Sequence, residues 1–89
     1  MSAVTVGRIV HYKLSEQDVA LIDQQSPITA QAPRNGVYVG HILPAIVVAY
    51  FGSGTYANLK VLLDGAGEYW ATSRSEGDGP GTWAWPPRA

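Results

Sequence analysis

Cysteine is absent from the chain, which excludes disulfides, thiolate metal sites and cysteine nucleophiles. Stability must come from a core the chain builds alone or completes with a partner. Charge of either sign is scarce: six Lys and Arg stand against seven Asp and Glu, a formal net charge of −1. The basic residues Arg8, Lys13, Arg34, Lys60, Arg74 and Arg88 are scattered along the sequence. No basic field gathers to attract a phosphate backbone, so non-specific nucleic-acid binding is not expected. A long hydrophobic run is also missing. The longest, Ile42 to Phe51, is interrupted by Pro44 and is too short to cross a bilayer as a helix. The opening MSAVTVGRIVHYK has no basic leader followed by an apolar stretch, so it does not read as a signal peptide. The expectation is a soluble, cytoplasmic protein with no membrane partner.

What is present is apolar. Of the 89 residues, 46% are hydrophobic and 15% charged. This length suits one domain from residue 1 to 89 with one core. The composition is too apolar for disorder and lightly charged for a monomer surface. A domain of this size buries only about 60–65% of the surface its unfolded chain exposes. Part of the apolar excess must therefore stay outside or be covered by another chain, and a homo-oligomer is expected.

Along the chain, Val4 to Lys13 mixes β-branched and aromatic residues with polar ones and reads as a strand, with Gly7 allowing a bulge or bend. Ser15 to Gln25 carries helix-start chemistry. Ser15 is a good N-cap with Asp18 three residues on, and Leu14 and Val19 are spaced as a hydrophobic staple. Glu16 and Asp18 place negative charge at the positive end of the helix dipole. Val19 and Ile22 form a narrow apolar stripe, so the spacing predicts a short helix over 15–25 lying on a sheet, ended by Ser26-Pro27. Residues 26–36 read as a flexible loop, and Val37 to Val39 as a short strand. Pro44 to Phe51 is a central strand, rich in consecutive β-branched residues. Ala57 to Asp64 alternates, with Leu59, Val61 and Leu63 to one side and Asn58, Lys60 and Leu62 to the other. Asp64-Gly65 opens a hairpin turn, and Glu68 to Ser73 returns. Residues 44–73 are thus a β-meander. A glycine-rich loop, SEGDGPG, precedes a last tryptophan strand over 82–86, stopped by Pro86-Pro87. Trp83 and Trp85 share a face at period two. The expected fold is mainly β: an SH3-like small five-stranded barrel or sandwich with one short helix after the first strand.

Catalytic motifs do not emerge. His11 and His41 are the only histidines, with no G-x-S-x-G and no metal-ligand spacing around them. The glycine loops Asp64 to Glu68 and Ser75 to Gly81 lack the alternating ligands of an EF-hand and the Lys-Ser or Lys-Thr of a phosphate cradle. Asp64, Glu68, Glu76 and Asp78 could pair as glycosidase acids only across a sugar-sized cleft. No cofactor or metal is expected. The richest feature is aromatic: Trp70, Trp83, Trp85, Tyr50, Phe51, Tyr56 and Tyr69 all lie in the second half. One reading makes the tryptophans core or dimer-interface residues. A second makes Trp83, Trp85, Trp70 and Tyr69 a stacking platform for a nucleobase, with Arg74, Arg8 or Arg88 on its phosphates and His11 and Tyr12 alongside. A third is a cage for a cation.

The segments VGRIVHY (Val6 to Tyr12), LPAIVV (Leu43 to Val48), NLKVLLDG (Asn58 to Gly65) and SEGDGPGTWAWP (Ser75 to Pro86) resemble a group of small, uncharacterised proteins encoded by bacteriophages and prophages. The resemblance covers most of the chain outside 26–36. It implies a phage setting in the host-cell cytoplasm and an accessory role, and it carries over no site residue. Three expectations follow. The favoured one is a non-enzymatic binding protein that counters host defence, by sequestering a small nucleotide-type signal or by docking on a host protein. The others are a virion head or tail adaptor and a small phosphodiesterase using His11 and His41.

Overall fold

A computed structural model describes residues 4–87. Five antiparallel strands form one sheet in the order β4-β3-β2-β1-β5: β1 Ile9–Lys13, β2 Ile42–Tyr50, β3 Ala57–Leu62, β4 Glu68–Arg74 and β5 Trp83–Ala84. One helix, α1 (Glu16–Gln25), follows β1. The sheet is not closed. At one corner the chain leaving β4 is stitched to β5, where the Trp83 N–H donates to the Ser75 carbonyl at 3.1 Å and the Gly77 N–H to the Trp83 carbonyl at 2.9 Å. The fold is mainly β with one helix after the first strand, as expected.

The helix begins where its cap predicts. The Ser15 hydroxyl accepts the Asp18 N–H, and the Asp18 carboxylate accepts the Ser15 N–H at 2.9 Å, a complete capping box. Leu14, just before the cap, and Ile22 are buried, and Val19 packs against the same core. The inner face of the sheet supplies the rest: Val10, Tyr12, Leu43, Ala45, Val47, Ala57, Leu59, Val61, Tyr69, Ala71 and Trp83 are all buried. In β3 the alternation is complete, with Leu59 and Val61 inward and Asn58, Lys60 and Leu62 outward.

Several boundaries differ from the sequence reading. The first strand starts at Ile9, not Val4, because residues 5–8 form a turn: the Arg8 N–H donates to the Thr5 carbonyl, and Gly7 takes φ +92°. β2 begins at Ile42 and so contains Pro44. This is tolerated because pairing with β3 starts only at Ala45, leaving Pro44 on a stretch with β1 as sole neighbour. No strand forms over Val37 to Val39. The chain turns there instead, with the His41 N–H on the Tyr38 carbonyl and Gly40 at φ +85°. The final strand is shorter than expected, Trp83–Ala84.

The segment 26–36 forms neither helix nor strand, and its far end is pinned rather than free. The buried Arg34 guanidinium donates to the Ser26 carbonyl, the Asn35 carbonyl and the Asp23 carboxylate at 2.9–3.0 Å. The Arg34 backbone lies so close to Gly65 that a Cβ at residue 65 would stand 2.4 Å from the Arg34 Cα. The loop is thus tied to the end of α1 and to the β3–β4 turn.

Candidate ligand-binding cleft

Eight of the nine residues singled out as a site are described, and they divide according to which way the chain points them. In β1 the even positions face the core and the odd positions face out, and the β1–β5 register pairs Tyr12 with Trp83 inside and His11 with Ala84 outside. Trp83 is fully buried, and its indole N–H lies 3.1 Å from the Thr55 carbonyl and 3.2 Å from the Arg74 carbonyl. Its ring has no face left for a ligand, which corrects its placement as a platform. Tyr12 is likewise fully buried and Tyr69 nearly so, at 3% exposure.

Tyr12, Tyr69 and Arg74 meet on one group that the sequence offered only as a helix cap. The Asp18 carboxylate is fully buried. One oxygen accepts the Tyr12 hydroxyl at 2.5 Å and the Ser15 N–H and hydroxyl at 2.9 Å each. The other accepts the Tyr69 hydroxyl at 2.8 Å and an Arg74 N–H at 2.9 Å. Burial pushes the Asp18 pKa up, but donation from Tyr12, Ser15 and Tyr69 outweighs it and holds the group below the ordinary carboxylate value. For the tyrosines the effects add: burial, then the hydrogen bond and negative charge of Asp18, raise Tyr12 and push Tyr69 up to about 12. Burial opposes the Arg74 charge, yet its electrostatic partners Tyr12 and Asp18 leave its pKa raised. This cluster locks α1 onto the sheet. Its two tyrosines and its carboxylate are buried, and only Arg74, with 24% of its side chain exposed, reaches the surface.

Arg74 reaches Asp18 through a bulge. The β3–β4 register shifts between Ala57 and Leu59, so one residue of β3 faces two of β4, Thr72 and Ser73. The Ser73 N–H is taken by the Asn58 side chain at 2.8 Å, and Ser73 sits at φ +54°. The extra residue inverts the alternation, and Arg74 pairs with the inward-facing Ala57. Strict period two would have turned Arg74 outward.

The remaining site residues lie outside the core. Trp70 is 58% exposed on β4, at the far edge of the outer sheet face. Arg8, His11 and Trp85 come together at the other edge. The Arg8 guanidinium stands 5.1 Å from the Trp85 ring centroid, and Trp85 meets Trp83 edge-on at 5.2 Å. Trp85 thus backs on the core with one side and opens onto a cleft of about 250 Å³ with the other. His11, Lys13, Ile42, Thr82 and Ala84 line this cleft, and Asp78 borders it. The Lys13 ammonium is positioned by the Asp78 backbone carbonyl at 2.6 Å, and the Thr82 hydroxyl by the Gly79 carbonyl at 2.6 Å. The glycine-rich loop therefore shapes the cleft wall, and Gly77 packs closely there, since a Cβ would come within 3.1 Å of the Thr82 side chain.

Arg88 falls outside the described residues. His41 lines a different hollow, of about 360 Å³, and stacks on Tyr38 with ring centroids 4.2 Å apart. His11 and His41 thus serve different cavities. A further hollow of about 380 Å³ is lined by Pro33, Arg34, Asn35, Asp64 and Gly65. It shares Asp64 with the His41 hollow, and neither contains a tyrosine or tryptophan. Among the described residues no group of three or more His, Cys, Asp or Glu could hold a metal ion, and no helix is long and apolar enough to cross a membrane. Lys13, Ile42 and Thr82 were not among the expected site residues. The alternation of β1 placed Lys13 beside His11, but only the fold shows that β5 and the glycine loop wall them in. Comparison with protein-family models, with curated proteins and with solved structures finds no match.

Proposed function

We propose that this chain is a non-enzymatic binding protein that holds a small nucleotide-type ligand in the cleft between β1 and the 77–87 segment. The observation that carries this reading is the meeting, in one concavity, of an aromatic ring, an imidazole and an ammonium: Trp85, His11 and Lys13, with Arg8 stacked beyond. A base stacked on an indole gains about 1–3 kcal/mol without needing sequence-specific contacts, and Lys13 and Arg8 supply charge for phosphate oxygens. The cleft carries the Asp78 carboxylate as the other two hollows carry Asp64, and what sets it apart is Trp85, since neither of them has a tryptophan or tyrosine. A volume of about 250 Å³ is small for a ligand pocket and suits one base with its sugar rather than an extended polymer. In the phage setting that the sequence resemblance implies, such a protein acts by sequestering a nucleotide signal of host defence.

The test is thermal unfolding against a panel of cyclic and ADP-ribose-type nucleotides, followed by titration calorimetry on any that bind. At a hundredfold excess over Kd, a true ligand adds about 2.7 kcal/mol of stability. Recovery of the ligand intact after heating marks sequestration. Trp85→Ala should weaken binding about tenfold or more and leave the fold in place. Trp83→Ala should instead lose about 3–5 kcal/mol of stability. No shift with any nucleotide overturns the proposal, and turnover abolished by His11→Ala replaces it with the phosphodiesterase reading.

A further inference from the structure

The cleft between β1 and the 77–87 segment holds two opposite charges that the protein itself does not use up. Among the described residues, neither the Lys13 ammonium nor the Asp78 carboxylate belongs to an ion pair. The ammonium has three donors, and one of them is taken by the Asp78 backbone carbonyl at 2.6 Å. The Asp78 side chain borders the cleft, and among the described residues its carboxylate accepts no hydrogen bond. Asp78 is exposed, yet the chain around it is fixed. The Gly77 N–H donates to the Trp83 carbonyl at 2.9 Å, the Gly79 carbonyl accepts the Thr82 hydroxyl at 2.6 Å, and the Gly81 N–H donates to the Lys13 carbonyl at 2.8 Å. Lys13 and the backbone of Asp78 are therefore held together before any ligand arrives, which lowers the ordering cost of binding.

An ammonium only donates hydrogen bonds, and an ionised carboxylate only accepts them. A ligand that fills this cleft must therefore bring acceptors to Lys13 and donors to Asp78. A nucleotide brings the acceptors as phosphate oxygens. Its donors are of two kinds, the N–H groups on the edge of the base and the hydroxyls of the sugar. The Lys13 ammonium rests on the backbone of Asp78 itself, so the donor that meets the carboxylate is one close to the phosphate. In a nucleotide the sugar lies between phosphate and base, and the hydrogen-bonding edge of the base is at the far end. A carboxylate that accepts a hydroxyl proton also offsets the repulsion it would otherwise exert on the phosphate beside it. Resting on the nucleotide reading of the cleft, we infer that its ligand is a ribonucleotide, and that Asp78 selects ribose over deoxyribose by accepting the 2′-hydroxyl.

Titration calorimetry on the intact chain tests this. The probes are the 5′-monophosphates and 3′,5′-cyclic monophosphates of adenosine, guanosine, cytidine and uridine, each beside its 2′-deoxy counterpart. A ribonucleotide that binds should do so about tenfold or more tightly than its deoxy counterpart, the discrimination that one hydrogen bond to a charged group gives. Asp78→Ala, at an exposed position, should keep the circular dichroism spectrum of the wild type and remove the preference. It should weaken the ribonucleotide and leave the deoxyribonucleotide as tight or tighter. Asp78→Asn, which keeps the shape of the side chain, should shrink the preference in the same direction and serves if Asp78→Ala unfolds. A carboxylate that only repels phosphate gives a different pattern: Asp78→Ala then tightens both members of a pair alike, and the inference is overturned. Equal binding of both members of every pair to the wild type overturns it too. In that case loss of binding with Trp85→Ala leaves the nucleotide reading standing, whereas no binding by any of the probes removes that reading and this inference together.

Discussion

Replacing Asp18 with Asn separates a helix cap from a structural hub. The substitution keeps the shape of the side chain and removes its charge. In the wild type the carboxylate is fully buried and takes donors from Tyr12, Tyr69, Ser15 and Arg74. An amide offers one acceptor oxygen and turns its own N–H donors toward groups that are donors themselves. The Arg74 guanidinium, whose side chain is 24% exposed, then loses its counter-charge. Breaking one partner of a buried pair costs about 3–5 kcal/mol, and partial exposure of Arg74 puts the expectation near the lower end, about 3 kcal/mol. Were Asp18 only a capping residue, the loss would be about 1 kcal/mol. Total stability for a chain of this length is about 4–13 kcal/mol, so the variant should remain folded but weakened. Urea unfolding at pH 7, followed by tryptophan emission, reads the difference. With a slope of about 1 kcal/mol/M, the midpoint should fall by about 2–3 M at constant slope. The companion Arg74→Met should be non-additive with it, since both break the same pair. Asp18 has a folded pKa below its unfolded value, so its contribution is present above about pH 4 and lost as pH falls through the folded value. Asp18→Asn should therefore flatten the acid limb. A midpoint shift below about 1 M, or strict additivity with Arg74→Met, would refute the hub.

The same cluster makes stability fall at alkaline pH. Burial and the Asp18 carboxylate push Tyr69 up to about 12 and raise Tyr12 in the same direction. Their contribution is complete below the unfolded value near pH 10 and is lost as pH rises toward the folded value, by about 2–3 kcal/mol for Tyr69 alone. Urea midpoints at pH 9, 10 and 11 should decline, and Tyr69→Phe should decline less steeply; a flat profile through pH 11 contradicts the assignment. Among the glycines, Gly65→Ala should destabilise by at least about 1–3 kcal/mol, because φ is +142° and the new Cβ would meet the Arg34 Cα and Cβ at 2.4 and 2.6 Å. Gly36→Ala, in open space one turn away, should be neutral or gain up to about 1 kcal/mol. Equal effects at the two positions, measured by thermal unfolding, would deny that Arg34 and Gly65 are locked together.

Much of the fold is legible in the sequence because it is local. The Ser15 cap, the alternation of residues 57–63 and the Asp64-Gly65 turn each carry their signal within a few residues, and each forms where expected. What stays hidden is non-local. Pro44 looks like a strand start until β3 is seen to pair only from Ala45. Arg34 looks like a loop cation until Asp23, Ser26 and Asn35 are seen to surround it. The Thr72–Ser73 bulge leaves no mark that period two can read, yet it decides that Arg74 serves the core. Asp18 satisfied a local rule so well that its second role, reaching residues 51 and 56 positions along the chain, had no separate signature.

For the candidate site, the decisive information was parity. Tyr12 and Trp83 are paired in register and point inward together, so the alternation that buries them also turns His11 and Ala84 outward together. A platform using both Trp83 and Trp85 would need the last strand to run regularly through residue 85. It ends at Ala84, and Pro86 and Pro87 lack the N–H groups to extend it. Outside the ladder, Trp85 meets Trp83 at right angles and lines the cleft together with His11 and Lys13. The fully buried Trp83 fixes the wall against which Trp85 rests, so the two tryptophans act in series, one as foundation and one as surface. Destabilising Trp83 should therefore disorder the cleft as well, whereas replacing Trp85, which packs on the core only from outside, should cost less. That asymmetry is why only the second tryptophan can report on a ligand.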